Sequence, residues 1–379
     1  MIPYARQMIS EEDIEAVTEV LKSDWLTTGP KVEEFETALS VFSGAQYAVS
    51  FSSGTAALHA AMSILNISPG DEVIVPPITF VATANCILYL GATPIFADVD
   101  TCTLLIDPEQ VKKNITANTK AIIAVDYAGQ PCDYVELRKI CDEHNLVLIA
   151  DACHSLGAEN DGVSVGKLAD ITVLSFHPVK LICAGEGGAL LLHDEQHAVK
   201  AKQFRNHGIN FDHHQRQKIG TWEYDMESLG FNYRLTDFQC AIGISQLNQL
   251  PQWLKRRAEV ANYYDIALAD LDGVAALQIR AKVKHAYHLY VIRINQAISG
   301  ISRNVLYSRL RDKGIGVNVH YKPVFYHSYY RKRFPGSNTR CPVACKVADD
   351  ILSLPIYSSI SEKQVNAVVQ ELITIVQNP

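Results

Sequence analysis

Seven short apolar runs constrain this chain more than any other feature: YAVSF (47–51), EVIVP (72–76), TPIFAD (93–98), AIIAVDY (121–127), LVLIAD (146–151), ITVLSF (171–176) and GALLLH (188–193). Most are continuously apolar rather than alternating, which is what strands become when helices cover both faces of their sheet. Helical patterns separate them. SEEDIEAVTEVL has an acidic first turn, and VEEFETALSVF repeats a 3.6-residue period through Val32, Phe35, Leu39 and Phe42 until Gly44 stops it. Asp107 before Pro108, and Asp133 before YVELRKICDEHN, read as helix caps. The sum is a large α/β unit with a mainly parallel seven-stranded sheet and helices on both faces.

After TDFQCAIGISQLNQL the pattern changes. A basic helix is expected from Pro251, followed by a strand (HLYVIRI), a helix over 302–313, a strand (IGVNVH) and a last helix opened by a Ser361/Gln364 capping box. This predicts a major domain over 1–250 and a smaller α+β domain over 251–379.

Composition removes several function classes. A chain of 379 residues, 48% apolar and 20% charged, can bury a large core. Its net charge of −7 opposes general affinity for nucleic acid, and the basic runs at 255–257 and 331–333 are short. No stretch approaches the ~18 apolar residues of a membrane span, and IPYARQ lacks signal-peptide regions, so a cytoplasmic protein without membrane partners is expected. Nine cysteines fall without CxxC pairs, and Cys341 and Cys345 have no second pair to complete a zinc site. They read as reduced thiols, several of them in the core, and no metal is expected.

One residue breaks the apolar pattern. In SFHPVKLICAGEGG, Lys180 follows a strand and precedes a glycine cluster. A lysine at a strand end ordinarily snorkels to water. Burial would instead lower its pKa and make it a neutral nucleophile suited to a Schiff base. An amine that condenses with pyridoxal phosphate needs an anion at the pyridinium nitrogen, donors for the phosphate and a flat contact for the ring. Asp151 ends LVLIAD, at the sheet edge where ligands of such folds bind, although it could simply cap a helix. In FSSGTAALHAAMSIL, Gly54 lets backbone approach an anion, and the amides of Gly54 and Thr55 join a helix dipole; Ser175 can add a hydroxyl. Phe80 could stack on a ring, or be an ordinary core phenylalanine.

In order along the chain, SGTAALH, PITFVATAN, DACHSLGA, SFHPVK and GEGG resemble the DegT/DnrJ group of fold-type-I, pyridoxal-phosphate-dependent sugar aminotransferases. SDWLTTGPKVEEFE, YAGQPCD, RNHGI, LGFNYRLTDFQCAIGISQL and GVNVHYKPV extend the resemblance over nearly the whole chain. It implies Lys180 as the Schiff-base lysine and Asp151 as the pyridinium partner. Gly54, Thr55 and Ser175 match the phosphate site, Phe80 the stacking ring, and His154 a position beside the cofactor. Asn232 matches an asparagine that reaches the phosphate from a neighbouring subunit, implying a homodimer with shared active sites. Tyr4, the segment Asp24, Trp25, Leu26 and Thr27, and the segment Asn318, Val319, His320 and Tyr321 match those lining the nucleotide-sugar site, the last two being expected to meet at the domain junction.

SFHPVK, DACH and VNVHYKP are most similar to the pseudaminic acid branch of the group. That resemblance implies transfer of an amino group from glutamate to C4 of a UDP-linked 2-acetamido-2,6-dideoxy-4-ketohexose. The alternatives are another nucleotide-linked 4-keto or 3-keto sugar, a sugar deaminase, or a non-catalytic cofactor-binding protein. Relatives that act as dehydratases carry histidine where this chain has Lys180. GEGGAL and GIGVNV do not complete a GxGxxG fingerprint, so nicotinamide chemistry has no support.

Overall fold

The computed structural model of the protein describes residues 1–211 and 213–379. All seven apolar runs become strands of one sheet: β1 (Tyr47–Phe51), β2 (Glu72–Val75), β3 (Thr93–Phe96), β4 (Thr119–Val125), β5 (Val147–Asp151), β6 (Ile171–Ser175) and β7 (Gly188–Leu192). Their spatial order is β1-β7-β6-β5-β4-β2-β3. Strands β2 to β6 pair in parallel, and β7 runs antiparallel to both β1 and β6. Leu148, Ile149 and Ala150 in β5 are wholly buried, and every residue of β7 is buried, which accounts for the missing alternation.

The helical patterns become helices. α1 (Glu11–Leu21) opens with a Ser10/Asp13 capping box; α2 (Pro30–Ser43) ends at Gly44 in the left-handed conformation. α3 (Gly54–Ile64) and α4 (Ala82–Tyr89) pack on the sheet, and α5 (Tyr134–His144) takes Asp133 as its N-cap. α6 (Glu195–Phe204) follows β7.

Two local expectations are corrected. No helix begins at Pro251: α7 (Asp237–Leu268) runs through it for 32 residues. An interior proline costs about 3 kcal/mol, but Leu250 and Trp253 beside it are buried, and burying a large apolar side chain contributes about 1.5–3 kcal/mol. Packing on both sides of the proline therefore outweighs the local break. The first half of α7 gives Cys240, Leu247, Leu250 and Trp253 to the core around the large sheet, and the second gives Val260, Ala261, Tyr264 and Leu268 to a second core.

That second core surrounds a three-stranded antiparallel sheet, β8 (Val274–Ala276), β9 (Tyr290–Ile294) and β10 (Ile351–Leu354), with α8 (Arg303–Asp312) and α9 (Glu362–Gln377) against it. The Ser361/Gln364 box caps α9 as expected. IGVNVH, however, is not a strand. Ile315 bridges to Ile2, and Asn318 bridges to Ser353, so the segment changes partner before any ladder forms.

Core membership does not follow chain order. Ile2 packs on the second core, while Val324, Phe325, Tyr330, Cys341, Ala344 and Val347 return to the first. The segment between, 316–323, lies where the two cores meet, in contact with Tyr127 just after β4 and His154 just after β5. Six of the nine free cysteines are buried. Among the described residues, no helix is long and apolar enough to cross a membrane.

Candidate active site

Asp151 is the last residue of β5, paired with Val125 of β4 and Val173 of β6, so its carboxyl emerges at the centre of the sheet edge. It is 6% exposed. Its Oδ2 accepts a 2.7 Å hydrogen bond from the Thr83 hydroxyl on α4, while Oδ1, among the described residues, accepts only from the backbone N–H of Cys153 at 3.3 Å. One carboxylate oxygen is thus firmly held, and the other retains acceptor capacity.

Lys180 enters from the loop after β6. That loop is closed on itself: Phe176 N–H donates to the Gly187 carbonyl at 2.8 Å, Ala184 N–H to Phe176 at 2.9 Å, and Lys180 N–H to His177 at 2.8 Å. The glycines permit the closure, since Gly185 has φ +76° and a Cβ on Gly187 would stand 3.1 Å from the Phe176 ring. Lys180 is half-buried, and desolvation of its amine lowers the pKa below the usual value, against the opposing influence of Cys153 and Asp151. A larger neutral fraction makes this amine a nucleophile and proton acceptor that a solvated lysine is not.

The glycine turn at the start of α3 also meets Ser175. Ser53 caps α3 by accepting from Ala56 N–H, and Gly54 begins the helix against Ser175. A Cβ at Gly54 would lie 2.9 Å from Ser175 Cβ and 3.2 Å from its Oγ, so the glycine is what lets the hydroxyl and the first amides of α3 converge. Thr55 follows on the same turn. Phe80 is not a core residue: it is 57% exposed, and its ring centroid stands 6.3 Å from that of Tyr321. An exposed face of this kind suits a flat partner.

Opposite these groups lies a histidine cluster. His154 Nε2 shares a 3.1 Å hydrogen bond with the Tyr321 hydroxyl, and its ring centroid is 4.3 Å from that of His288. Among the described residues, the Nδ1 atoms of both histidines are buried without a partner. An unpaired buried polar atom costs about 1–3 kcal/mol, which a ligand group can recover. Burial holds both imidazoles neutral, with pKa values well below the usual range, and Lys180 adds to the effect. His320 Nδ1 shares 2.8 Å with Ser353 Oγ, and Nε2 lies 3.3 Å from Asn318 Nδ2; burial first, then Lys180, lowers its pKa to about 4. The Tyr127 hydroxyl donates to the His320 carbonyl, and Tyr4 tilts over the His320 ring at 5.4 Å.

The structure therefore gathers Lys180, Asp151, His154, Phe80, Tyr321, His320, Asn318 and Tyr4 around one region, with Gly54, Thr55 and Ser175 together at the neighbouring ends of α3 and β6. Val319 packs between the two cores. Leu26 and Thr27 lie against the start of α7: Asp237 N–H donates to the Leu26 carbonyl, Thr27 bridges Thr236, and Gln239 of the same helix turn donates to the Ala184 and Glu186 carbonyls of the Lys180 loop. Asp24 and Trp25 lie on the exposed turn before them, folded around Ser23. Asn232 is exposed and bridged to Asn206.

Four contributors went unread in the sequence. Thr83 stands inside the quoted PITFVATAN, but nothing local marks its hydroxyl as the partner of a residue 68 positions later. His288 and Tyr127 act through tertiary contacts alone. Asp126, directly after β4, is fully buried and accepts from Ser155 Oγ, Cys132 N–H and Tyr134 OH; burial raises its pKa to about 7. The signal for it was AVDY, a carboxylate at the end of an apolar strand, as in LVLIAD.

The DegT/DnrJ/EryC1/StrS aminotransferase family model matches residues 7–373. This chain belongs to that family. It is 38% identical over 378 residues to the spore coat polysaccharide biosynthesis protein SpsC of Bacillus subtilis (strain 168), covering 99% of this chain and 97% of that one. Among solved structures it is similar to Helicobacter pylori PseC, an aminotransferase involved in the biosynthesis of pseudoaminic acid, with TM-score 0.92 and 33% identity over 100% of both chains. Streptococcus pneumoniae Spr1654 in its PMP form gives TM-score 0.94 at 31% identity, again over 100% of both chains. The aminotransferase is pyridoxal-phosphate-dependent, and its seven-stranded, mostly parallel sheet is that of the fold-type-I sugar aminotransferases. The residues present fit the cofactor: a desolvated amine, a carboxylate with one oxygen still able to accept, and a glycine cradle that a Cβ would fill.

Proposed function

We propose that this aminotransferase moves an amino group from glutamate to C4 of a UDP-linked 2-acetamido-2,6-dideoxy-4-ketohexose, in a pathway of the pseudaminic acid kind. The observation that supports the reading is the desolvated Lys180 amine, which feels the charge of Asp151 and in turn disfavours protonation of His154 and His320, with His154 hydrogen-bonded to Tyr321. Similarity to PseC over the full chain supports the sugar. Bound pyridoxal phosphate supplies an electron sink and carries the amino group between the two substrates.

The protein's own residues do the rest. Lys180 would hold the cofactor at rest; once displaced by the amino donor, its amine would take the proton from the amino-acid Cα and deliver it to the cofactor's C4′ across the intervening nitrogen, and in the sugar half it would carry the proton the other way. Asp151 stabilises positive charge at the ring nitrogen. Gly54, Thr55 and Ser175 bind the phosphate, and Phe80 covers one ring face. His320, Asn318 and Tyr321, neutral and hydrogen-bonded, present donors and acceptors to the sugar. Asn232 completes the phosphate site of a partner subunit in a homodimer, a reading supported by its exposure and by the exposed Trp222, Tyr224, Met226 and Leu229 on the same segment.

A panel of UDP-, dTDP- and GDP-linked keto sugars with glutamate tests the proposal. The expected result is oxoglutarate release with the UDP 4-keto sugar and a C4 amine seen by NMR. Preference for another nucleotide or a 3-keto sugar would replace the substrate by a second reading, which the comparable similarity to SpsC keeps in view. Turnover without oxoglutarate would contradict the reaction itself.

A further inference from the structure

Behind Asp151 lies a short hydroxyl relay that the proposed chemistry has not used. Thr83 Oγ1 is 2.7 Å from Asp151 Oδ2 and 2.8 Å from Thr79 Oγ1; the two threonines are 1% and 2% exposed. An ionised carboxylate only accepts, so Thr83 commits its single hydrogen to Asp151. The contact between the two threonines must then use the Thr79 hydrogen. The chain has one direction, Thr79 to Thr83 to Asp151, and each bond polarises the next. The same turn carries Phe80, whose carbonyl accepts from Thr83 N–H at 3.2 Å. One hydroxyl pair therefore ties the cofactor-facing aromatic turn to the strand end that bears the carboxylate.

We propose that Thr83, backed by Thr79, is a positioning residue for Asp151 and sets how far the shared proton lies toward the cofactor's ring nitrogen. A buried carboxylate deprived of its strong donor becomes more basic. It would then draw the proton away from the ring and weaken the electron sink. This rests on Asp151 being the ring-nitrogen partner, as proposed above.

The test uses holoenzyme loaded with pyridoxal phosphate carrying 15N at the ring nitrogen. In Thr83→Val, which keeps shape but removes the hydroxyl, the 15N resonance should move from the pyridinium toward the pyridine side. Glutamate Cα-proton exchange should slow by roughly tenfold. Thr83→Ser should restore both readings. Thr79→Val, one link further away, should move the resonance the same way by less, and it carries the test if the Thr83→Val protein does not retain cofactor. An unmoved resonance in the valine variants, or no restoration by serine, overturns the inference. Asp151→Asn separates the two levels: a shift there with none in Thr83→Val leaves Asp151 as partner and removes the relay, whereas no shift in Asp151→Asn removes the partner assignment itself.

Discussion

The cofactor side of the site and the sugar side are built by different means. On the cofactor side, Asp151, Ser175 and the start of α3 sit at the ends of regular elements, and Lys180 hangs from a loop closed by three backbone hydrogen bonds. On the sugar side, residues 318–321 form no element; they are pinned one contact at a time, by Ser353, by Tyr127 and by His154. Regular elements place a group by long ladders that no single substitution undoes. A segment held by single contacts can be retuned one residue at a time, which suits the half of the site that must distinguish one sugar from another.

If this contrast is right, substitutions on the cofactor side should damage both half-reactions, and those on the sugar side only one. The largest effect is expected from Lys180→Ala. Removing the proton carrier should slow both half-reactions by ~100-fold to ~10,000-fold, measured separately by stopped-flow absorbance. A variant slowed in only one half would break the comparison.

Gly54→Ala comes next. The added Cβ would stand 2.9 Å from Ser175 Cβ, inside contact distance, so the seat must open. Cofactor affinity should fall by about tenfold or more, the equivalent of one lost charge-assisted hydrogen bond, with the protein still folded by circular dichroism. Unchanged affinity would mean that the phosphate does not use this turn.

His320→Ala sharpens the other side. Losing a buried hydrogen-bonding partner costs about 1–3 kcal/mol, a factor of roughly five to a hundred, and the loss should appear in the keto-sugar half alone. Equal losses in both halves would show that residues 318–321 also serve glutamate.

The smallest effect concerns acid stability. His320 has a pKa of about 4 when folded against 6.5 when free. Between those values the unfolded chain binds a proton that the folded chain refuses, so stability falls as pH drops from about 6.5 to about 4. His154 and His288, pushed well below the usual range by burial, act in the same direction. Urea midpoints should fall across that window, and less steeply in His320→Gln; parallel curves for the two proteins would contradict the assignment.

The same contrast decides what the sequence could reveal. Asp151 was legible because an apolar strand that ends in a carboxylate is an energetic anomaly on its face, and Lys180 for the same reason. The helix caps at Asp107, Asp133 and Ser361 were legible because capping is local. Pro251 misled, since its local cost is set against burial of Leu250 and Trp253 that only the fold reveals. IGVNVH misled likewise: its β-branched alternation is real, but its partners are Ile2 and Ser353, at the two ends of the chain. Thr83 and His288 were invisible because their roles consist of single contacts with residues far away in sequence.

The central claim is that Lys180 is the amine that holds the cofactor, with Asp151 beside it. Borohydride reduction of the holoenzyme fixes pyridoxal phosphate to whichever lysine holds it, and peptide mass mapping then identifies the residue. The account predicts one modified peptide, carrying the label on Lys180. A label on any other lysine, with Lys180 unmodified, would contradict it.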